Sequence, residues 1–555
     1  MTNDGARPAS PARRRLGVVT GGSLSRGLDV RLAEECAIEG MAVGRYVTIR
    51  GQRHQFFGLV TDVELRALHS GFTLAPPGPD DDFVQEVTAG AATYGSLRVV
   101  PYLVLDPLAA EEERIRPAKT VPPHFATVWE ASQEEVECIF GRDDASHFFI
   151  GTPLDMDVQV CLDYERFVQR SNGVFGKSGT GKTFLARIIL ASTIMKSNAQ
   201  REASRRAVNL VFDMHNEYGW AGSREEGSGL VKSLKQLFPA SVAVFTLDPE
   251  SSRRRGASTD GVVEVGYGEV EPEDVAVLRE TLNLTERAVE AAYELRRRYD
   301  QRRWLAETLA LDSADEETGT FLRSLNIHEA TFSNLRRGLR QLTRHPFLRA
   351  DAPGDAVGHI LNELVAGKNV VLEFGRYGDD LAAYMLVANL LSRRIHDEYR
   401  RRSEAAMGDR AQEPPHLVIT IEEAHKFLSP QVAGQTIFGQ IAREMRKYNV
   451  TLLVIDQRPA GIDAEVMSQV GTKIACLLDN EADVDAVLAG VSGRSELKGV
   501  LSRLESRQQA LIFGHAVPMP VVVRTPDYGT PDSYARFQEA GPTLRQRLQD
   551  LYEET

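Results

Sequence analysis

Apolar residues along the chain fall into two regimes. Between residues 16 and 122 they come in short runs: Leu16 to Thr20 ahead of Gly21 and Gly22, Tyr46 to Ile49, Phe56 to Val60, and Ser96 to Leu105. The runs are rich in β-branched and aromatic residues and are broken by turn residues at short intervals, which predicts a small N-terminal β-barrel. Pro76 to Asp82 (PPGPDDD) predicts a loop within it, and the proline-bearing stretch Ile115 to Pro123 a linker out of it. From residue 145 onward strands alternate with helices. Gly173 to Phe175, Val208 to Phe212, Val242 to Leu247, Asn369 to Phe374, Leu417 to Ile421 and Thr451 to Ile455 read as strands, with helices at Phe184 to Ser197 and Leu381 to Arg401. Apolar runs bounded by helices are what a parallel sheet covered on both faces requires. Residues 270–352 lack strand signals. In Thr285 to Arg303, residues Ala288, Ala291, Ala292 and Leu295 recur at helical spacing, so this region reads as an all-helical insertion. Ala510 to Phe513 and Val521 to Val523 return to strands. The fold class expected is α/β with a mostly parallel sheet. Its segments are a disordered arm (1–15), the barrel (16–122), a core (123–529) holding the insertion, and a polar helical tail (530–555).

Composition bounds the function classes. The chain has 555 residues, 42% hydrophobic and 26% charged, as in soluble globular proteins. That length has room for about three or four compact units. The four cysteines, Cys36, Cys138, Cys161 and Cys476, form no CxxC pair, so neither a zinc site nor a disulfide framework is expected. A reducing cytoplasm suits them. No apolar run approaches the ~20 residues that span a bilayer, so no membrane partner is expected. The head, MTNDGARPASPARRR, has basic residues without an apolar stretch behind them, which is not a signal peptide. Net charge is −13, which counts against an outer surface coating duplex DNA. It does not count against DNA held in a central channel, where only inner loops need positive charge.

Gly176-Lys177-Ser178-Gly179-Thr180-Gly181-Lys182-Thr183 satisfies the P-loop (Walker A) pattern G-x-x-x-x-G-K-[ST]. A phosphate chain needs several backbone N–H groups pointing inward, and glycines permit the tight turn and close approach. The following helix adds its positive N-terminal end. Lys182 is expected to bridge the β- and γ-phosphates of ATP, and Thr183 to hold Mg²⁺ through its hydroxyl. A strand before the motif and an apolar helix after it argue against a mere glycine-rich turn. Together with the sheet they predict a RecA-like P-loop core.

Leu417 to Ile421 ends in two adjacent carboxylates, Glu422 and Glu423, a Walker B-like arrangement. One acid should hold Mg²⁺ and the next should polarise the attacking water for in-line transfer. Glu422 takes the first role and Glu423 the second. The usual first acid is Asp, so Glu422 is a departure. The bland alternative is an acidic helix cap. Asp213-Met214-His215-Asn216-Glu217-Tyr218 follows the second strand. If extended, it places Asp213, His215 and Glu217 on one face, where a divalent metal could bind. A strand-end loop beside the ATP site, with Asp213 and Glu217 as auxiliary acids, or a plain polar turn, are the other readings. Gln457, beyond Thr451 to Ile455, is placed to sense the γ-phosphate. Arg443, Arg446 and Lys447 lie on the preceding helix. Arg443 or Arg446, delivered to a neighbouring subunit's ATP, would stabilise transition-state charge; solvated surface arginines are the commoner case. Arg253, Arg254 and Arg255, in what reads as a Ser/Gly-rich loop, are DNA-contact candidates. The arginines at 296–298, 302–303 and 336–340 read as solvated helix faces.

At this point the residues resemble the HerA family. The blocks VFDMHNEY, IEEAHKFL and EMRKYNVTLLVIDQRPAGIDAEVMSQVGTKI are similar to that family's motifs, and GVVTGGS, GRYVTIR and FGLVTDV to its small barrel, a HAS-barrel. ALIFGHAVPMPVVV is similar to its closing strands. Departures exist: Met214 and Asn216 stand where the family has Pro and Gly, and Ala460 where it has Ser. The resemblance covers most of the chain except residues 222–350. It implies an ATP- and Mg²⁺-dependent homo-hexameric ring, a translocase or helicase that moves double-stranded DNA through a central channel. It also implies an effector partner, such as a NurA-type nuclease in DNA-end resection or an enzyme of phage defence. Another DNA pump of the FtsK or conjugative kind, a hexameric scaffold with little translocation, and a protein unfoldase are the rival readings.

Overall fold

The computed structural model describes residues 13–68, 93–106, 109, 114–200, 202, 205–223, 230–300, 302–312, 314–352, 354–408, 413–434, 436–491 and 493–538. The expected arm up to residue 12, the Pro76 to Asp82 loop and the tail beyond residue 538 lie outside them. The chain divides into two compact units. One comprises residues 1–143, 149–162 and 475–526, the other 144–148, 163–474 and 527–555.

The first unit is built on a β-sheet in the order β2-β1-β7-β3-β4-β5-β6, closed by a further β2–β5 pairing. Its strands are β1 (Arg15–Ser23), β2 (Gly27–Leu32), β3 (Tyr46–Arg50), β4 (Gln55–Ala67), β5 (Thr93–Leu105), β6 (Ile115–Pro117) and β7 (Thr127–Glu130). Closure pairs the outer side of β2 with β5 and leaves the short β6 as a free edge. Bulges between Val19 and Gly21 and between Val60 and Asp62 mark where the strands bend. Leu16, Val30, Val47, Ile49, Phe56, Val60, Leu97, Val99 and Val128 fill the interior. Four boundaries differ from those expected. Arg15 already pairs with Trp129, and the Glu130 N–H reaches the Arg14 carbonyl, so residues 13–15 are barrel and not arm. Ile115–Pro117 pairs with β5 and is not a linker. β7 lies beyond residue 122 yet fills the gap between β1 and β3, whose backbone groups would otherwise lack partners. Residues 475–526, expected in the core, also fold with this unit. Their hairpin, Gln509–Gly514 with Val521–Arg524, meets Thr152 through a bridge at Arg524.

The second unit holds a parallel sheet. Its strands are β8 (Asn172–Phe175), β9 (Ala207–Asp213), β10 (Val242–Thr246), β11 (Gly261–Val262), β12 (Asn369–Glu373), β13 (His416–Glu422), β14 (Val450–Asp456) and β15 (Thr472–Ala475). Their order is β11-β10-β12-β9-β13-β14-β8-β15. Neighbouring pairs from β11 through β8 run parallel. The β8, β9, β12 and β14 strands are buried at every residue, as a sheet covered on both faces demands. Helix α1 (Lys182–Ala199) buries residues on every face, including Leu185, Ile188, Ile189, Leu190 and Ile194. That is the signature of a core helix.

The stretch 270–352 is helical between Pro272 and Leu342 among the described residues. The helix expected over Thr285 to Arg303 is split. Thr285 caps Glu286–Arg298 through the Ala288 N–H, and a separate helix begins at Trp304. The Trp304 ring is buried and its indole N–H bonds the Val270 carbonyl at 2.7 Å, which fixes the break. Asp274, fully buried, takes Arg393 at 2.8 Å and Asn389 at 2.9 Å, tying the helices to Leu381–Ala406.

Candidate functional site

Parallel strands present their C-terminal ends on one edge, and there the chemistry collects. The register is direct. Phe175 of β8 pairs with Asp456 of β14, and Glu422 of β13 pairs with Ile455 of β14. One strand therefore separates the P-loop from the acid pair, and both open onto one cleft. Ser178, Gly179, Gly181, Lys182, Thr183, Glu422, Glu423 and Gln457 line it together with Glu217 and Asp456.

The loop Gly176–Gly181 has the shape that phosphate binding needs. Gly179 and Gly181 sit at φ 77° and 84°, and nothing stands within 4 Å of where a Cβ would be. The positive φ calls for glycine, and the empty space leaves the backbone open to a ligand. The Thr180 hydroxyl donates to the Lys177 carbonyl at 2.8 Å, and Lys182 Nζ donates to the same oxygen at 2.7 Å. The Gly176 N–H donates to the Asp456 carbonyl at 3.3 Å, which seats the loop on β14. Thr183 begins α1 beside Lys182, at the positive end of a helix of 18 residues.

Glu422 is buried. One of its oxygens accepts the Tyr218 hydroxyl at 2.8 Å. The other, Oε2, has no hydrogen-bond partner among the described residues. Burial, then the charges of Asp213 and Glu217, push its carboxyl up to about 8, against the pull of the Tyr218 hydrogen bond. A buried acid with an orphaned oxygen beside further carboxylates is the environment that a divalent cation relieves. The residues thus fit Mg²⁺. Glu423, half-buried, follows at φ 47°, a left-handed conformation that costs a non-glycine residue of order 1–3 kcal/mol. Gln457 Nε2 donates to its Oε1 at 3.1 Å. The two residues assigned to water activation and γ-phosphate sensing are therefore in contact.

Asp213 does not share an extended face with His215 and Glu217. The chain turns back instead, and Asp213 accepts the backbone N–H groups of Glu217, Tyr218 and Gly219 at 2.7, 2.8 and 2.9 Å. Asp213 spends its oxygens on these backbone groups and does not line the cleft with His215 and Glu217. No group of three ligating side chains occurs among the described residues. Burial and then the Glu373 charge raise it to about 7, against the three backbone bonds. Asn216 adopts φ 58°, and its side-chain amide exchanges hydrogen bonds with the Gly375 backbone at 2.8 and 3.2 Å. Asn is among the few side chains that tolerate this conformation, which explains how it serves where HerA motifs carry Gly.

The arginine expectations divide. Arg253 and Arg254 do not stand in a loop but end a helix, and Arg255 follows in the turn after it. Asp248 caps a helix, α2 (Pro249–Arg254), through the Ser251 N–H, with Pro249 at its first position. Arg254 pairs with Glu250, and Arg255 pairs with the fully buried Glu373 at 2.6 Å. Arg255 is committed to a buried neighbour within the fold, whereas Arg254 stays exposed in its pair. Arg443 lies outside the cleft and pairs with Glu465 at 3.1 Å. The side chain of Arg446 lies outside the described residues.

Three site residues escaped the sequence reading. Asp456 ends β14 as a buried acid and accepts the His425 and Arg458 N–H groups at 2.7 and 2.6 Å. His425 Nδ1 lies 3.0 Å from Asp456 and 3.6 Å from Glu423, and the Asp456 hydrogen bond raises the imidazole above its ordinary range. Tyr218 orients Glu422. All three stand in blocks that sequence comparison picks out, yet only the folded register brings them together.

Residues 148–395 match the family DUF87, described as Helicase HerA, central domain. This stretch of the chain is similar to the HerA central domain. The DNA double-strand break repair helicase HerA of Pyrococcus furiosus is 27% identical over 421 residues, spanning 72% of this chain and 72% of that protein. Its namesake in Sulfolobus acidocaldarius is 32% identical over 170 residues, 30% of this chain and 33% of that protein. Among solved structures, the bacterial conjugative coupling protein TrwBdeltaN70 aligns with a TM-score of 0.45 at 12% identity, covering 72% of this chain and 93% of that one. The HerA-type match contains the P-loop, Asp213, Glu217 and Glu373. No helix among the described residues is long and apolar enough to cross a membrane.

Proposed function

We propose that this protein is an ATP-driven, hexameric translocase or helicase acting on double-stranded DNA held in a central channel. The reading places it in the cytoplasm, working with a NurA-type nuclease or another effector in DNA-end processing or phage defence. The observation that carries it is the meeting of the P-loop with Glu422, Glu423 and Gln457 on one sheet edge. The HerA relatives, named as double-strand break repair helicases, supply the choice of DNA.

Mg²⁺·ATP, when bound, supplies the γ-phosphoryl group and the charge that neutralises it in transfer. The chain's residues do the positioning. Lys182 and the backbone of Gly176–Gly181 would grip the phosphates, and the Thr183 hydroxyl and Glu422 would hold the cation. Glu423 takes a proton from the attacking water, with Gln457 fixing its carboxylate. Arg443 or Arg446 reaches a neighbouring subunit's nucleotide and stabilises charge there.

The test is ATP turnover with and without duplex DNA, beside particle mass with ATP. A six-membered ring whose turnover rises with duplex DNA supports the reading. Turnover indifferent to DNA but responsive to a co-purified effector would instead mark a scaffold.

A further inference from the structure

Helix α1 is apolar along nearly its whole length, which makes its buried cations conspicuous. Lys196, near the far end, donates to the Asp144 carbonyl at 2.6 Å and is satisfied. Arg187 is different. It is 4% exposed, one helical turn beyond Thr183, and it lines the same cleft as the P-loop. Its Nε is buried with no hydrogen-bond partner among the described residues. No ion pair to its guanidinium occurs among the described residues, although Glu217, Glu422 and Glu423 line the same cleft.

What surrounds it is aromatic. The guanidinium carbon lies 5.4 Å from the ring centre of Phe184, 5.9 Å from Tyr218 and 5.8 Å from Tyr528. Tyr528 is itself held in place. Its hydroxyl donates to the Lys232 carbonyl at 2.8 Å, and its ring packs edge-on against Tyr534. Such rings favour a cation electrostatically and fix the plane of the guanidinium, but they accept no N–H bond and carry no neutralising charge. Arginine cannot shed its proton to escape burial. A buried cation that is oriented but not neutralised is unfavourable in the empty site and becomes favourable when an anion arrives.

The geometry points to Arg187 as a second phosphate-binding cation of the nucleotide site, acting beside Lys182 on the oxygens of a bound nucleoside triphosphate. The three rings preorganise it, so binding orders little that is not already fixed. Planar guanidinium suits phosphate better than ammonium does, which accounts for Arg and not Lys at this position. The inference deepens the ATPase reading and rests on it.

The experiment uses the full chain and measures two quantities for wild type, Arg187→Met and Arg187→Lys. These are the melting temperature without nucleotide and the dissociation constant for Mg·ATP. Arg187→Met keeps the volume and removes an unneutralised charge, so the nucleotide-free melting temperature is expected to hold or rise, while Mg·ATP binding weakens tenfold or more. Mg·ATP affinity within threefold of wild type overturns the proposal. Should Arg187→Met melt early, Arg187→Lys decides. Recovery of affinity relative to Met supports a charge on phosphate, and no recovery shows an arginine that only packs. Failure of the wild type itself to bind Mg·ATP would instead sink the ATPase reading, so the two failures are distinguishable.

Discussion

The Tyr218 hydroxyl donates to Glu422 at 2.8 Å across a separation of 204 residues in sequence, and the second carboxylate oxygen has no hydrogen-bond partner among the described residues. One loop thus orients the acid while keeping its free face toward the P-loop cleft. A hydrogen bond to a charged group contributes about 1.5–3 kcal/mol. Tyr218→Phe removes it without changing the packing of the ring. The expected outcome is a Mg²⁺ requirement for ATP turnover raised by roughly ten- to a hundredfold, the equivalent of that energy. The Mg²⁺ dependence of initial rates checks it, and an unchanged half-saturation would show that Glu422 is oriented by other means.

Two buried acids set a pH dependence of stability. Burial raises Asp213 to about 7 and Glu422 to about 8, both above their ordinary values. The folded chain therefore binds more protons than the unfolded chain between the ordinary carboxylate range and those values. The stabilisation is fully present below the ordinary range and is lost as pH rises through about 7 and about 8, with a slope of at most about 1.4 kcal/mol per pH unit for each proton. Without nucleotide or Mg²⁺ the protein is expected to melt at a lower temperature at pH 8.5 than at pH 6. Replacing both acids, Asp213→Asn with Glu422→Gln, is expected to flatten that difference, and an equally steep profile in the double variant would place its origin elsewhere.

Much of the sheet was legible because buried parallel strands are apolar from end to end. Val242–Thr246, Asn369–Glu373 and Val450–Asp456 announce themselves as strands wherever they sit. What the pattern cannot carry is adjacency. Nothing local to Ile115–Pro117 says that it pairs with Leu103–Leu105 and does not lead out of the barrel. Pro117 made it look like a linker, although the edge of a sheet tolerates proline. The loop expected at Arg253 and Arg254 is a helix end for a related reason. Ser and Gly neighbours suggested a loop, but Asp248 and Pro249 form a helix start. Glu373, the buried partner of Arg255, lies 118 residues away. In the site, motif residues were readable because phosphate chemistry demands particular types in sequence. Asp456, His425 and Arg187 were not, because their meaning depends on burial and on partners far along the chain.

Asn216 offers a test of local backbone design. Its φ of 58° and its paired hydrogen bonds to Gly375 hold the loop between Asp213 and Tyr218. Asn216→Ala loses both bonds and places a Cβ-bearing residue without side-chain compensation in the left-handed region. A loss of about 2–3 kcal/mol is expected from roughly 1 kcal/mol per bond and a further conformational cost. Asn216→Gly keeps the conformation at no steric cost and should lose only the bonds. Chemical denaturation of the two variants, with glycine the milder, checks the order; alanine equal to glycine would show that the strained φ contributes nothing.

The division of labour between the adjacent acids is the sharpest prediction of the site. Glu423 touches Gln457, stands in a strained conformation and is half-buried, while Glu422 is buried against Tyr218 with an orphaned oxygen. A base that takes a proton from water needs access, and a cation ligand needs a vacant lone pair. Glu423→Gln is therefore expected to bind Mg·ATP normally and to turn it over slower by about 100-fold or more, the contribution of a positioned general base. Glu422→Gln is expected to raise the Mg²⁺ requirement as Tyr218→Phe does, and the pair Tyr218→Phe with Glu422→Gln should be less than additive because both act through one carboxylate. Lys182→Ala is the reference, with loss of binding itself. Steady-state kinetics over a Mg²⁺ series, with nucleotide affinity measured separately, resolves the three. Slow turnover with intact binding in Glu422→Gln, alongside an active Glu423→Gln, would reverse the two roles.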